Sequence, residues 1–179
     1  MKTHSFKESL AFSERQSDAP WWELVYREAF PTFEAMAIVR RNGWAQESGI
    51  DRVITLASGK TITVDEKVRD KDWPDILLEY LSNVERKRPG WVVKDLACDF
   101  LAYAFVPTST CYLLPFPTLR TAWRKNGQRW VDNARAAQRG YRIVDAWNEP
   151  GYTTRSVAVP IPEVMQALSN AMIIHWAER

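Results

Sequence analysis

The stretch from Gly49 to Arg69 constrains this chain more than any other. IDRVITLASGKTITVDEKVR is dense in β-branched side chains, which suit a pleated surface, and it is interrupted once, by Ala57-Ser58-Gly59. Two extended arms around a short loop that ends in glycine predict an antiparallel hairpin. With a three-residue loop, Gly59 takes the left-handed position and Leu56 pairs with Lys60. Counting back along both arms then sets Asp51 opposite Asp65. Asp51, Asp65 and Lys67 share one face, while Ile54, Leu56, Ile62, Val64 and Val68 share the other. A two-residue loop would instead set Asp51 opposite Glu66, but the glycine position favours the longer loop.

The register matters because two carboxylates on one face of a sheet push one pKa upward unless something compensates their charge. A divalent cation is the natural compensator, and hard oxygen ligands of this kind suit Mg²⁺ or Mn²⁺, with water completing the shell. A neighbouring lysine can orient the attacking water, while the metal neutralises charge building on a phosphoryl oxygen. The chemistry that fits is hydrolysis of a phosphodiester.

The flanking segments suggest what carries the hairpin. Asp18 or Pro20 opens a helix through WWELVYREAF, where Trp21, Trp22, Val25 and Ala29 recur at helical spacing, and Pro31 ends it. FEAMAIVRR reads as a second helix, with Phe33, Met36 and Ala37 on one side, until Asn42-Gly43. Downstream, Pro74 suits the first turn of a helix carrying Ile76, Leu77, Tyr80 and Leu81, which sets aside the dipeptide Pro74-Asp75 as a helix start. CDFLAYAFV and TCYLLPF read as buried strands separated by Pro107-Thr108-Ser109. Thr118 to about Ala137 is helical, with Gly127 weakening its middle. YRIVDAW and TTRSVAVP read as strands about the turn Asn148-Glu149-Pro150-Gly151, and PEVMQALSNAMIIHWAE as a closing helix.

Length and composition bound the remainder. A chain of 179 residues suits one well-filled domain, here expected over 19–179, behind a loose or frayed arm over 1–18. Hydrophobic residues at 46% against charged residues at 26% exclude a chain disordered throughout. No apolar run is long enough to span a membrane and the N-terminal stretch lacks the apolar core of a secretory signal, so the expectation is a cytoplasmic protein. Cys98, Cys111, His4 and His175 are too scattered for a zinc cage, and both cysteines read as small buried hydrophobes.

With its hairpin acids and D-x-K spacing, the chain resembles the PD-(D/E)XK nuclease superfamily, which includes restriction enzymes, phage-type exonucleases and junction resolvases. The resemblance covers roughly residues 20 to 160. It implies an α/β restriction-endonuclease-like core in αβββαβ order, with a central mixed sheet flanked by helices. It also implies a metal-dependent deoxyribonuclease in which Asp51 and Asp65 hold Mg²⁺ or Mn²⁺ and Lys67 positions water. The main-chain carbonyl of Glu66 would be within reach of the metal. A further glutamate on the preceding helix would be Glu28, with Glu34 and Glu47 behind it. Two departures stand out: Ile50 replaces the usual proline, and Glu66 puts a charge at a usually apolar position, so that it too could serve as a carboxylate ligand. Small stand-alone proteins similar to this superfamily are frequent in phages and mobile elements.

Twenty-four Lys and Arg against twenty-two Asp and Glu leave a net charge of +2, so any case for nucleic acid must rest on a local cluster. One exists after Thr118. At about 100° per residue, Leu119, Ala122, Trp123, Trp130, Ala134 and Ala137 fall on one arc, with Arg120, Arg124, Lys125, Arg129, Arg135 and Arg139 opposite. Such a face can track phosphates. The expected partners are therefore DNA and, as an option, a second copy of the chain. A non-catalytic nucleic-acid or protein-interaction module on the same fold is the competing expectation.

Overall fold

The computed structural model describes residues 4–5, 12, 15–40, 42–149 and 151–176. The elements run β1 (His4–Ser5), α1 (Trp21–Ala29), β2 (Phe33–Ile38), α2 (Gly43–Ser48), β3 (Arg52–Leu56), β4 (Thr61–Arg69), β5 (Asp75–Asn83) and β6 (Arg88–Pro89). They continue with β7 (Phe100–Phe105), β8 (Thr110–Pro115), α3 (Phe116–Arg135), β9 (Arg142–Asn148), β10 (Tyr152–Pro160), α4 (Ile161–Ala167) and β11 (Met172–His175). The protein is therefore of the α/β class, and no described helix is long and apolar enough to cross a membrane.

The chain gathers into two compact units, each assembled from separated stretches. The hairpin unit comprises Phe12–Asp72, Leu96–Pro117 and Asn170–Arg179. Its sheet has the order β11-β8-β7-β4-β3-β2, with every neighbouring pair antiparallel except β4 and β7, so the sheet is mixed. Helix α1 closes one face. Trp22, Val25 and Tyr26, at helical spacing, are fully buried, and they join Ile54, Ile62, Val64, Ala102, Leu113 and Trp176 in one core. The helix stops where expected, because the residue before Pro31 is driven out of the helical region, and Phe30 is extended at φ −126°. Cys98 and Cys111 are free and buried, as their apolar surroundings suggest.

The helix unit comprises Met1–Ala11, Trp73–Asp95 and Thr118–Ser169. Its sheet has the order β1-β9-β10-β5-β6. The β9–β10 hairpin pairs from Arg142 opposite Ala158 to Asn148 opposite Tyr152, as the two apolar runs about a turn imply, though Pro150 lies outside the described residues. The N-terminal arm is described only at residues 4–5, 12 and 15–18; His4 and Ser5 pair in parallel with Ala146 and Trp147, and the rest of that expectation lies outside the described residues.

Three segments differ from the helices their periodicity suggests. FEAMAI is the edge strand β2, paired from Phe33–Leu56 to Ile38–Arg52, because the open edge of β3 offers backbone partners that local propensity does not outweigh. PDILLEYLSN contains β5 rather than a helix. Its apolar positions satisfy both periods, and Ile76 and Leu78, two apart, are the ones fully buried beside the central strand β10. Asp75 does not cap a helix either; it is 2% exposed and accepts a hydrogen bond from Arg142 Nη2 at 2.6 Å. The closing helix stops early, at Ala167: Asn170 is left-handed at φ 62°, and the β-branched pair Ile173-Ile174 completes the sheet against Tyr112 and Cys111.

Candidate functional site

The hairpin has the three-residue loop. Its ladder runs from Arg52 opposite Val64 to Thr55 opposite Thr61, the Leu56 N–H donates to the Lys60 carbonyl at 2.9 Å, and Gly59 takes φ 79°. The ladder ends at Arg52–Val64; just beyond it the Asp51 N–H donates to the Val64 carbonyl at 2.9 Å, and the Asp51 carboxylate is near enough to act electrostatically on Asp65. The faces divide as expected: Ile54, Ile62 and Val64 are in the core, with Leu56 and Val68 packed against it, and on β4 Asp65 and Lys67 alternate with Val64 and Val68 on the other side, the Asp51 carboxylate acting on Asp65 there.

Asp65 is the strained member. It is 4% exposed; Oδ1 accepts from Lys67 Nζ at 2.6 Å, and Oδ2 is buried with no hydrogen-bond partner. Burial pushes the carboxyl up to about 7 from its ordinary 3.8; the Lys67 ammonium opposes that rise and the Asp51 carboxylate adds to it. Asp51 is oriented by the backbone: its Oδ2 accepts the Glu66 N–H at 2.8 Å. Lys67 is a third exposed, so its ammonium meets both solvent and the buried acid.

These atoms fit a small hard cation. A buried carboxylate oxygen lacking a donor, beside a second carboxylate, is a deficit of positive charge in an oxygen-only donor set. Mg²⁺ is commonly held by just one or two carboxylates with water and phosphate oxygens filling the remainder. The described residues contain no group of three or more His, Cys, Asp and Glu gathered for a metal ion.

Glu66 does not add its side chain to the pair. It lies on the core face of β4, where Oε1 accepts from Tyr26 Oη at 2.7 Å and Arg52 Nε at 2.5 Å, and Oε2 accepts from Arg40 Nη2 at 2.7 Å. Burial raises its pKa, and Arg52, Tyr26 and Arg40 pull the other way. Arg52 is itself 2% exposed and donates through Nη2 to the Ser17 carbonyl at 2.7 Å. Face counting in the sequence already puts Arg52 and Glu66 together among Ile54, Val64 and Val68; the missed signal was two opposite charges on an otherwise apolar face.

Glu28 stands on the exposed side of α1, about 200° round the helix from Tyr26, and Tyr26 is the residue of that helix that reaches β4. Glu34 is also exposed, on β2, and the side chain of Glu47 lies outside the described residues.

In the helix unit, α3 is amphipathic in the sense the sequence implies. Leu119, Ala122, Trp130 and Ala134 are buried, while Arg124, Lys125, Arg129 and Arg135 are exposed. Ala137 lies past the helix end, left-handed and exposed. Part of the basic face is neutralised locally: Arg120 pairs with Asp95, Arg129 with Glu163 at 3.7 Å and Arg135 with Asp132 at 3.5 Å. No ion pair forms at Arg124 or Lys125 among the described residues.

No family model, curated protein or solved structure matches this chain.

Proposed function

We propose that the hairpin unit is a Mg²⁺-dependent nuclease that hydrolyses DNA phosphodiester bonds with a PD-(D/E)XK-type restriction-endonuclease-like core. The observation that carries this reading is Asp65, an acid buried beside a second acid with one oxygen lacking a donor and a pKa raised to about 7. A residue held there is poorly matched to its own protein and well matched to a bound cation. Asp51 and Asp65 would hold Mg²⁺, which when bound supplies neutralising charge to the phosphoryl oxygens. Asp65 also fixes the Lys67 ammonium at 2.6 Å, and Lys67 orients the attacking water. The Asp51 bond to the Glu66 N–H keeps the first acid aligned while the fully hydrogen-bonded Glu66 anchors the strand behind it.

The test pairs binding with turnover. Mn²⁺ titrated calorimetrically into the wild type should bind, and supercoiled plasmid or linear DNA should be cut with Mg²⁺ or Mn²⁺ and not with a chelator. An Asp51→Asn, Asp65→Asn double variant should remain folded and lose at least about a hundredfold in cleavage. A wild type that neither binds Mn²⁺ nor cuts any form of DNA removes the enzyme reading. A second reading, a nucleic-acid-binding module without catalysis, draws on Arg124 and Lys125, exposed and without ion pairs among the described residues. It predicts DNA binding that weakens steeply with salt and is indifferent to chelation.

A further inference from the structure

The helix unit contains a groove of about 350 Å³, within the range of small-ligand sites, along the side of α3 that faces Tyr80 of β5 and the turn at Val92–Val93. Its wall is aromatic. The rings of Tyr80 and Trp123 stack with centroids 5.9 Å apart at 26°. The Trp123 ring lies over Gly127, where a Cβ would come within 2.8 Å of it, so any side chain at that position would displace the ring. Glycine in mid-helix costs about 1 kcal/mol relative to alanine, and the ring's seat is the local reason for it here. A second glycine shapes the opposite rim: a Cβ on Gly90 would lie 2.3 Å from the Glu79 carbonyl oxygen, so only glycine lets this turn press against β5. Val93, which lines the groove, is 42% exposed.

The charges along this wall are all of one sign. Arg120, Arg124 and Arg135 line the groove and no carboxylate does. Arg120 is held by Asp95 and Arg135 leans on Asp132 at 3.5 Å, while Arg124 is exposed and ion-pairs with none of the described residues. Planar aromatic faces take up the apolar faces of bases, and guanidinium forks match phosphate oxygens. An acidic peptide would use the arginines but make no use of the aromatic wall; a duplex would offer phosphates but keep its bases stacked internally.

We infer that this groove seats unstacked bases of a single-stranded nucleic acid, with Trp123 and Tyr80 as the stacking wall and Arg124 and Arg135 on the flanking phosphates. The inference goes beyond the nuclease reading and needs no metal, so it is tested with a chelator present. A fluorescein-labelled oligothymidylate of about 12 nucleotides, long enough to cover a typical single-strand site, is titrated with protein and followed by anisotropy. Single strand should bind at least about tenfold more tightly than a duplex of equal length, and Trp123→Ala should weaken it about tenfold or more. Arg124→Gln should lower the slope of log K against log salt by about 0.7, the value for one phosphate contact on a single strand.

Trp123→Phe keeps a planar ring and should retain more affinity than Trp123→Ala; if the alanine variant does not fold, Trp123→Phe and Arg124→Gln decide, since Arg124 is exposed. Equal binding of duplex and single strand overturns the inference. So does displacement of the oligonucleotide by poly-glutamate at matched charge, or indifference to both Trp123→Phe and Arg124→Gln. None of these outcomes bears on metal-dependent cleavage at Asp51 and Asp65.

Discussion

Asp65 and Glu66 are consecutive acids on one strand, 4% and 5% exposed, yet their surroundings are opposite. Glu66 faces the core and accepts hydrogen bonds from Tyr26, Arg52 and Arg40, so both of its oxygens are satisfied. Asp65 faces the other side of the sheet with one lysine, one competing carboxylate and one oxygen without a donor. A buried acid supplied with every partner it can use is part of the architecture, because removing it strands its partners. A buried acid left short of positive charge stores unfavourable energy that a ligand can release, and such groups concentrate at functional sites.

The contrast can be broken by experiment. Glu66→Ala leaves the Arg52 guanidinium buried without its carboxylate and should lower stability by about 3–5 kcal/mol in urea unfolding. A loss under about 1 kcal/mol would mean the cluster is no more than a surface-like pair.

The next effect is the pH dependence of Asp65, whose sign follows from its raised pKa. Below about pH 4 the carboxyl is protonated in folded and unfolded chains alike. From there up to about 7 the folded chain keeps a proton that the unfolded chain releases, so stability falls with rising pH across that window and levels off above it. The full fall attributable to this group is up to about 4 kcal/mol, from roughly three pKa units. Glu66 is shifted in the same direction, so the clean measurement is the difference between wild type and Asp65→Asn in urea midpoints from pH 4 to 8. Parallel curves for the two proteins would show that Asp65 is not short of charge. The smallest effect is Tyr26→Phe, which removes one hydrogen bond to the buried Glu66 carboxylate and should cost about 1.5–3 kcal/mol. Its metal binding and cleavage should match wild type, because Tyr26 touches the saturated acid and not the starved one.

What a linear reading could reach follows the range of the interactions involved. The hairpin register was legible because Gly59 sets a local loop, and the two arms then count outward from it to Arg52 opposite Val64. The burial of one side of α3 and the end of α1 at Pro31 were legible for the same reason. The strand identity of β2 was not, because it rested on the open edge of β3; nor was that of β5, because Ile76, Leu78 and Tyr80 fit an alternating pattern as well as a helical one and the choice lay with β10, far along the chain. The completion of the Glu66 cluster depends on Tyr26 and Arg40 arriving from other segments. Expecting Glu28 at the site assumed a helix rotation that the Trp22, Val25 and Tyr26 stripe does not allow.

The sequence by itself determined the hairpin, its register and the face on which Asp51, Asp65 and Lys67 meet, since a glycine loop and a period of two act over neighbouring residues. Only the tertiary structure decided which strands enclose that hairpin and how far Asp65 is removed from water. It also decided that Tyr26 and Arg40 join Arg52 on Glu66, because burial and charge pairing across distant segments are set only once the chain has folded.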